Sequence, residues 1–184
     1  MFHVPRSTFH EKGFTLLEML VVMAIVAIMA GALITNFQTA RTGANARRQI
    51  ASVIVSDLRR AQSMALSGTR YNGNAVCGYG VHYINTRSYL IYARNQAKCS
   101  TGNTKYQSGT DFTAETRTFG NNQLSIGSFK DIFYEPPDPR VYFDGDSDIS
   151  KDQNGLAIAI YSGASCATDC TIVTVFKSGA VNSN

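Results

Sequence analysis

Hydrophobic positions fall into three regimes along the chain. From Phe14 to Ile34 the side chains are apolar on every side, 21 residues broken by one charge, Glu18. At about 1.5 Å per residue such a helix is roughly 30 Å long, the thickness of a bilayer's hydrocarbon core. The pattern then turns amphipathic. Ile50, Val53, Ile54, Leu58, Ala61 and Ala65 recur at three- and four-residue steps, with Arg47, Arg48, Asp57, Arg59 and Arg60 assigned to the other faces. No stop signal precedes Gly68, which follows Ser67 and suits a C-terminal cap, so one helix is expected over 14–67.

Beyond Gly68 the composition turns to strands. Tyr71-Asn72-Gly73-Asn74 reads as a turn, and 76–84 and 88–94 read as strands joined by Asn85-Thr86-Arg87. Residues 95–112 form a polar surface loop around Cys99, and further strands are expected near 113–119, 140–143, 156–162 and 171–176. Glu135-Pro136-Pro137-Asp138-Pro139 is a rigid connection that neither a helix nor a central strand tolerates. The expected fold class is therefore α+β, a long helix whose apolar stripe is buried by an antiparallel sheet. There is no internal repeat, and 184 residues suffice for one apolar segment and one domain with its own core.

Glu18 is the oddity of the apolar run. A carboxylate near a membrane core is unfavourable by a few kcal/mol, so its default reading is functional. A cut before Phe14 would create an α-amino group four residues away, in the same helix or against a neighbouring one. Ala30-Gly31-Ala32 imitates a signal-peptidase site, but Glu18 inside the apolar region and the helical pattern continuing past that site argue against an ordinary signal peptide.

Gly13-Phe14-Thr15-Leu16-Leu17-Glu18 resembles the class III signal of type IV pilins and type II secretion pseudopilins. The resemblance implies the type IV pilin fold and a prepilin peptidase that cuts between Gly13 and Phe14 and N-methylates Phe14. It makes Glu18 the assembly residue that meets a neighbour's amine. It divides the chain into a leader (1–13), an apolar transmembrane or filament-core helix (14–37), an amphipathic half-helix (38–68) and a periplasmic β-rich domain (69–184). The implied partners are the major pilin and other minor pilins, the peptidase, an inner-membrane assembly platform and a tip adhesin. The implied location is the inner membrane, with the N-terminus in the cytoplasm, and then the pilus or pseudopilus. Val53–Thr69 is similar to the start of the soluble region in GspH/FimT-like minor pilins. One departure stands out: Thr35 occupies the place where many of these proteins carry a kinking proline.

Charge and cysteine chemistry refine this picture. The net charge is +4, but between Asp57 and Asp111 there is no acid and seven bases, whereas 131–152 holds seven acids and two bases. Such asymmetry suits opposite faces meeting different partners. Positive charge does not orient the segment: Arg6 and Lys12 precede it, and Arg41, Arg47 and Arg48 follow it. The cysteines are Cys77, Cys99, Cys166 and Cys170, an even set in a domain expected to be exported. Three pairings are open, and Cys77–Cys99 with Cys166–Cys170 is favoured because each closes a short loop. Neither pair has the C-x2-C spacing of a zinc site, and His82 is the one histidine past the leader.

No nucleophile–base–acid set, phosphate-binding loop or dinucleotide fingerprint occurs, so a structural subunit without a cofactor is expected rather than an enzyme. Asp144, Asp146 and Asp148 place oxygens at alternate positions, but Ile149 and Gly155 stand where a calcium loop needs Gly and Glu. A looser calcium turn remains beside the reading of a solvated acidic turn. Tyrosines interleave with Arg87, Arg94, Lys98 and Lys105, a composition suited to nucleic acid. The C-terminal arginines of DNA-binding relatives are missing at Ser178–Asn182, which leaves a DNA-uptake pilin, like a secretion pseudopilin, as an alternative.

Overall fold

The structure is a computed structural model that describes residues 15–96, 104–120, 123–136, 140–144, 155–163, 165–166 and 169–184, with backbone alone at 32–42 and 140. Helix α1 covers Leu16–Leu66. The chain divides into two units, Met1–Thr42 and Gly43–Asn184. In the first, the described side chains of α1 from Leu16 to Met29 are exposed all round, as the uninterrupted apolar run requires when nothing packs on it.

In the second unit, α1 ends where the sequence places its cap. Gly68 takes φ +61°, its N–H donates to Ala65 O, and the Thr69 N–H donates to Met64 O. This is a Schellman arrangement, which needs a left-handed residue and so favours glycine. Among the described residues nine strands follow, in two antiparallel sheets. The five-stranded sheet has the order β3-β2-β1-β5-β6, built from β1 (Val76–Asn85), β2 (Ser88–Asn95), β3 (Phe112–Thr118), β5 (Ile132–Glu135) and β6 (Arg140–Phe143). The four-stranded sheet has the order β4-β7-β8-β9, from β4 (Leu124–Ile126), β7 (Leu156–Ser162), β8 (Cys170–Val175) and β9 (Val181–Ser183).

One core joins these elements. Ile50, Ile54, Leu58, Ala61 and Ala65 of α1 pack with Tyr79, Val81, Ile91 and Tyr134 of the larger sheet and with Ile126, Ile158, Ile160, Val173 and Val175 of the smaller. The fold is thus α+β, a helix packed on antiparallel sheets, and is consistent with the type IV pilin fold. Where the sequence suggests a single sheet there are two. The extra strands β4, β5 and β9 are three or four residues long, too short for alternation to reveal them.

A second apolar cluster lies on the outer face of the larger sheet, where Cys77, Leu90, Tyr92 and Phe133 are buried under Tyr106 and Tyr142. Gly78 and Gly80 make this possible. A Cβ on Gly80 would sit 2.5 Å from the Tyr92 ring, and one on Gly78 would collide with the Tyr134 carbonyl and the Phe133 ring. The two glycines let aromatic rings lie directly on strand β1.

Candidate assembly site and buried charges

Glu18 lies in the first turn of α1 and is exposed. Thr15 immediately precedes the helix, and its Oγ1 accepts the Glu18 N–H at 3.3 Å, while its carbonyl accepts the Met19 N–H at 3.2 Å. Thr15 is therefore an N-cap and Glu18 occupies the third helical position, the sequence spacing of a capping box. The spacing Thr-x-x-Glu was visible in the sequence and gives Glu18 a local role besides the one the resemblance implies. An acid there also faces the positive end of the helix dipole. Gly13 and Phe14, the residues expected to flank the cut, lie outside the described residues.

Around Glu18 the described helix surface is hydrocarbon. Leu16, Leu17, Leu20, Met23, Ile25 and Ile28 are each at least half exposed. An apolar surface of this extent on a helix is stable only against lipid or other helices. No helix among the described residues is long and apolar enough to cross a membrane. The described side chains cover 15–31, so Phe14 and 32–34 at the ends of the apolar run lie beyond them.

Residues 8–34 match the family model described as the prokaryotic N-terminal methylation motif. The matched span includes the Gly13–Phe14 junction, Thr15 and Glu18, and it supports a type IV pilin- or pseudopilin-like prepilin. Such a motif marks a structural subunit that assembles with pilin or pseudopilin subunits after processing by prepilin peptidase. Searches of curated proteins and of solved structures returned no match.

Elsewhere in the chain, several charges expected at the surface are buried. Arg47 and Asp57, assigned by helical spacing to polar faces, are both among the core residues. Asp57 accepts the Tyr89 hydroxyl at 2.7 Å and the Arg117 Nε–H at 2.9 Å, which binds α1 to β2 and β3. Burial together with the Asp57 carboxylate drives the Tyr89 hydroxyl far above its ordinary value, because an anion there would be both desolvated and repelled. The same carboxylate, through its hydrogen bond, raises the Arg117 guanidinium. Arg47 is held by Ser162 and Asp169.

Arg94 requires a correction. Rather than contributing to an open basic face, it is 1% exposed, donates to the Lys105 carbonyl at 3.0 Å and faces Asp111 at 3.7 Å. Alternation along β2 points it to the same face as Leu90 and Tyr92, where the 104–111 segment covers it. Arg87 and Lys105 are exposed, and Lys98 lies outside the described residues. Among the described residues, Arg87 and Lys105 are the two of the four basic residues that lie at the surface.

His82 shows the same outward-facing chemistry. Its Nδ1 lies 2.6 Å from Asp131 Oδ1, and its ring is 4.6 Å from Tyr106. Asp131 Oδ2 accepts the Tyr106 N–H at 2.7 Å, and its backbone N–H donates to Asp144 Oδ1 at 2.9 Å. The carboxylate of Asp144, the first of the three acids in the calcium reading, is thus engaged with the backbone, while Asp146 and Asp148 lie outside the described residues. Among the described residues no group of three or more His, Cys, Asp or Glu side chains is placed to hold a metal ion. Cys166 and Cys170 are joined by a disulfide, and Cys77 is also disulfide-bonded. Cys99 lies outside the described residues.

Proposed function

We propose that this protein is a minor type IV pilin of the GspH/FimT-like type, a structural and priming subunit of a pilus or its tip complex. It is made as a prepilin, cleaved between Gly13 and Phe14 and methylated on the new amino group of Phe14. The 14–37 segment holds it in the inner membrane, with the leader in the cytoplasm and the β-rich domain in the periplasm, where Cys77 pairs with Cys99. On assembly the apolar helix leaves lipid for a bundle of like helices, and Glu18 neutralises the amine of an adjoining subunit. In that apolar setting an unpaired carboxylate and an unpaired ammonium are each unfavourable, so the pair sets the axial register of subunits.

The observation that carries this reading is the methylation motif over 8–34 on a helix whose described surface is apolar all round apart from Glu18. Mass spectrometry of the chain from a host with an active prepilin peptidase should give an N-terminus at methylated Phe14. Material still beginning at Met1 would refute processing. Glu18→Ala should leave insertion and cleavage intact and reduce recovery in sheared filaments by roughly tenfold or more, as expected for losing a few kcal/mol of register energy. Normal incorporation would refute the pairing.

A further inference from the structure

Arg47 takes its counter-charge from a carboxylate more than a hundred residues away. Its side chain is 6% exposed, its Nη1–H donates to Ser162 Oγ at 2.9 Å, and its Nη2 pairs with Asp169. Ser162 ends β7 and Asp169 immediately precedes β8, so the two partners stand at either end of the connection between those strands. That connection is closed by the Cys166–Cys170 disulfide, with Cα atoms 5.4 Å apart. The Asp169 side chain is 68% exposed. Little packing fixes it over Arg47, and its chain neighbour Cys170 is tied to Cys166. An exposed aspartate on an open loop gains too little from one ion pair to overcome the entropy of staying in place. A buried guanidinium that loses its carboxylate, in contrast, becomes an uncompensated charge in the core.

We propose that the Cys166–Cys170 disulfide is a thiol-sensitive clasp on α1, acting through Asp169 and Arg47. In the oxidised connection Asp169 is held over Arg47, and the first turns of α1 in the 43–184 unit are locked to the β7–β8 hairpin. A dithiol reductant opens the clasp. Two electrons and two protons pass to the Sγ–Sγ bond, Cys166 and Cys170 each become thiols, and the dithiol becomes a disulfide. Asp169 is then free to leave, and the helix around Arg47 opens locally. The device makes the seating of α1 depend on oxidation, so the subunit completes its fold only where thiols are oxidised. It stands independently of the filament reading.

Amide hydrogen exchange on the full chain in detergent micelles tests this. The Cys166→Ser/Cys170→Ser variant should speed exchange at 46–50 by roughly tenfold or more, with amides of β2 changing less than about threefold. Asp169→Asn, with the disulfide intact, should reproduce the effect at 46–50. In an Arg47→Met background, removing the cysteines should add less than about threefold, because the buried charge they serve is gone. Wild-type exchange at 46–50 in Asp169→Asn would overturn the proposal. So would an undiminished acceleration on removing the cysteines from Arg47→Met, which would make the disulfide a plain hairpin staple. Should the serine variant fail to fold, dithiothreitol reduction of the folded wild-type and Arg47→Met chains makes the same comparison at 46–50, with amides beside Cys77 reporting reduction of its own disulfide.

Discussion

The Tyr89 hydroxyl donates a 2.7 Å hydrogen bond to Asp57, so a buried carboxylate on the helix is satisfied by strand β2 of the larger sheet. Arg117 on β3 completes the arrangement from the other side. Of the charges in this network, Asp57 is the buried one, and it carries the energetic stake. Asp57→Ala should destabilise the 43–184 unit by about 3 kcal/mol, since it removes the partner of both groups. Tyr89→Phe keeps the ring packing and should cost about 1.5 kcal/mol. Chemical denaturation of the full chain in detergent checks both values. No loss in Tyr89→Phe would mean that Tyr89 serves by its ring alone.

Stability should fall in alkali. Burial raises the hydroxyls of Tyr89, Tyr92 and Tyr134 above the ordinary value near 10, with Asp57 adding to the shift at Tyr89 and Asp131 at Tyr92. The unfolded chain then loses these protons at about pH 10 while the folded chain keeps them, so the folded state binds more protons above that pH. The contribution is complete below pH 10 and is lost progressively above it, by up to about 1.4 kcal/mol per pH unit for each tyrosine. Absorbance of tyrosinate should show these three groups ionising only with unfolding, and Tyr134→Phe should flatten the slope.

Gly78 and Gly80 should be intolerant of alanine. At Gly78 the obstacle is backbone, the Tyr134 carbonyl, which has no rotamer to change. At Gly80 it is the Tyr92 ring, held by a 2.7 Å hydrogen bond from its hydroxyl to Thr104 O. Each substitution should cost about 2–3 kcal/mol. Combining Gly80→Ala with Tyr92→Leu should recover part of the loss, whereas Gly78→Ala should gain nothing from that partner. Thermal melting of the four variants distinguishes the two sites.

Thr15 should matter as a cap. Thr15→Val keeps the shape but removes the acceptor of the Glu18 N–H, and should weaken the start of α1 by about 1 kcal/mol. Thr15→Ser should restore it. Exchange at the amides of 16–19 in the full chain reports the difference. A Thr15→Val variant with unchanged exchange would show that Thr15 does not cap this helix.

The apolar run, the capped end at Gly68 and the hairpin of β1 and β2 were legible because each depends on neighbours within a few residues. Ala61 and Ala65 were placed in the core by helical spacing, and they are there. The same spacing misplaced Arg47 and Asp57. A charge is buried only when partners are built for it, and those are the charges of Asp169 and Arg117 and the hydroxyl of Tyr89, 32 to 122 residues away. Arg94 was misread as a surface base for the same reason, since Asp111 and the Lys105 carbonyl reach it only once the 104–111 segment folds over β2.

What the sequence determined by itself is the methylation signal, the long helix and the strand-rich remainder, all of which are local patterns of side-chain type. Tertiary structure alone decided that the described strands form two sheets, that Arg47, Asp57 and Arg94 sit inside, and that Gly78 and Gly80 make room for aromatic rings. Those outcomes depend on which distant segments meet, and short-range periodicity carries no record of that.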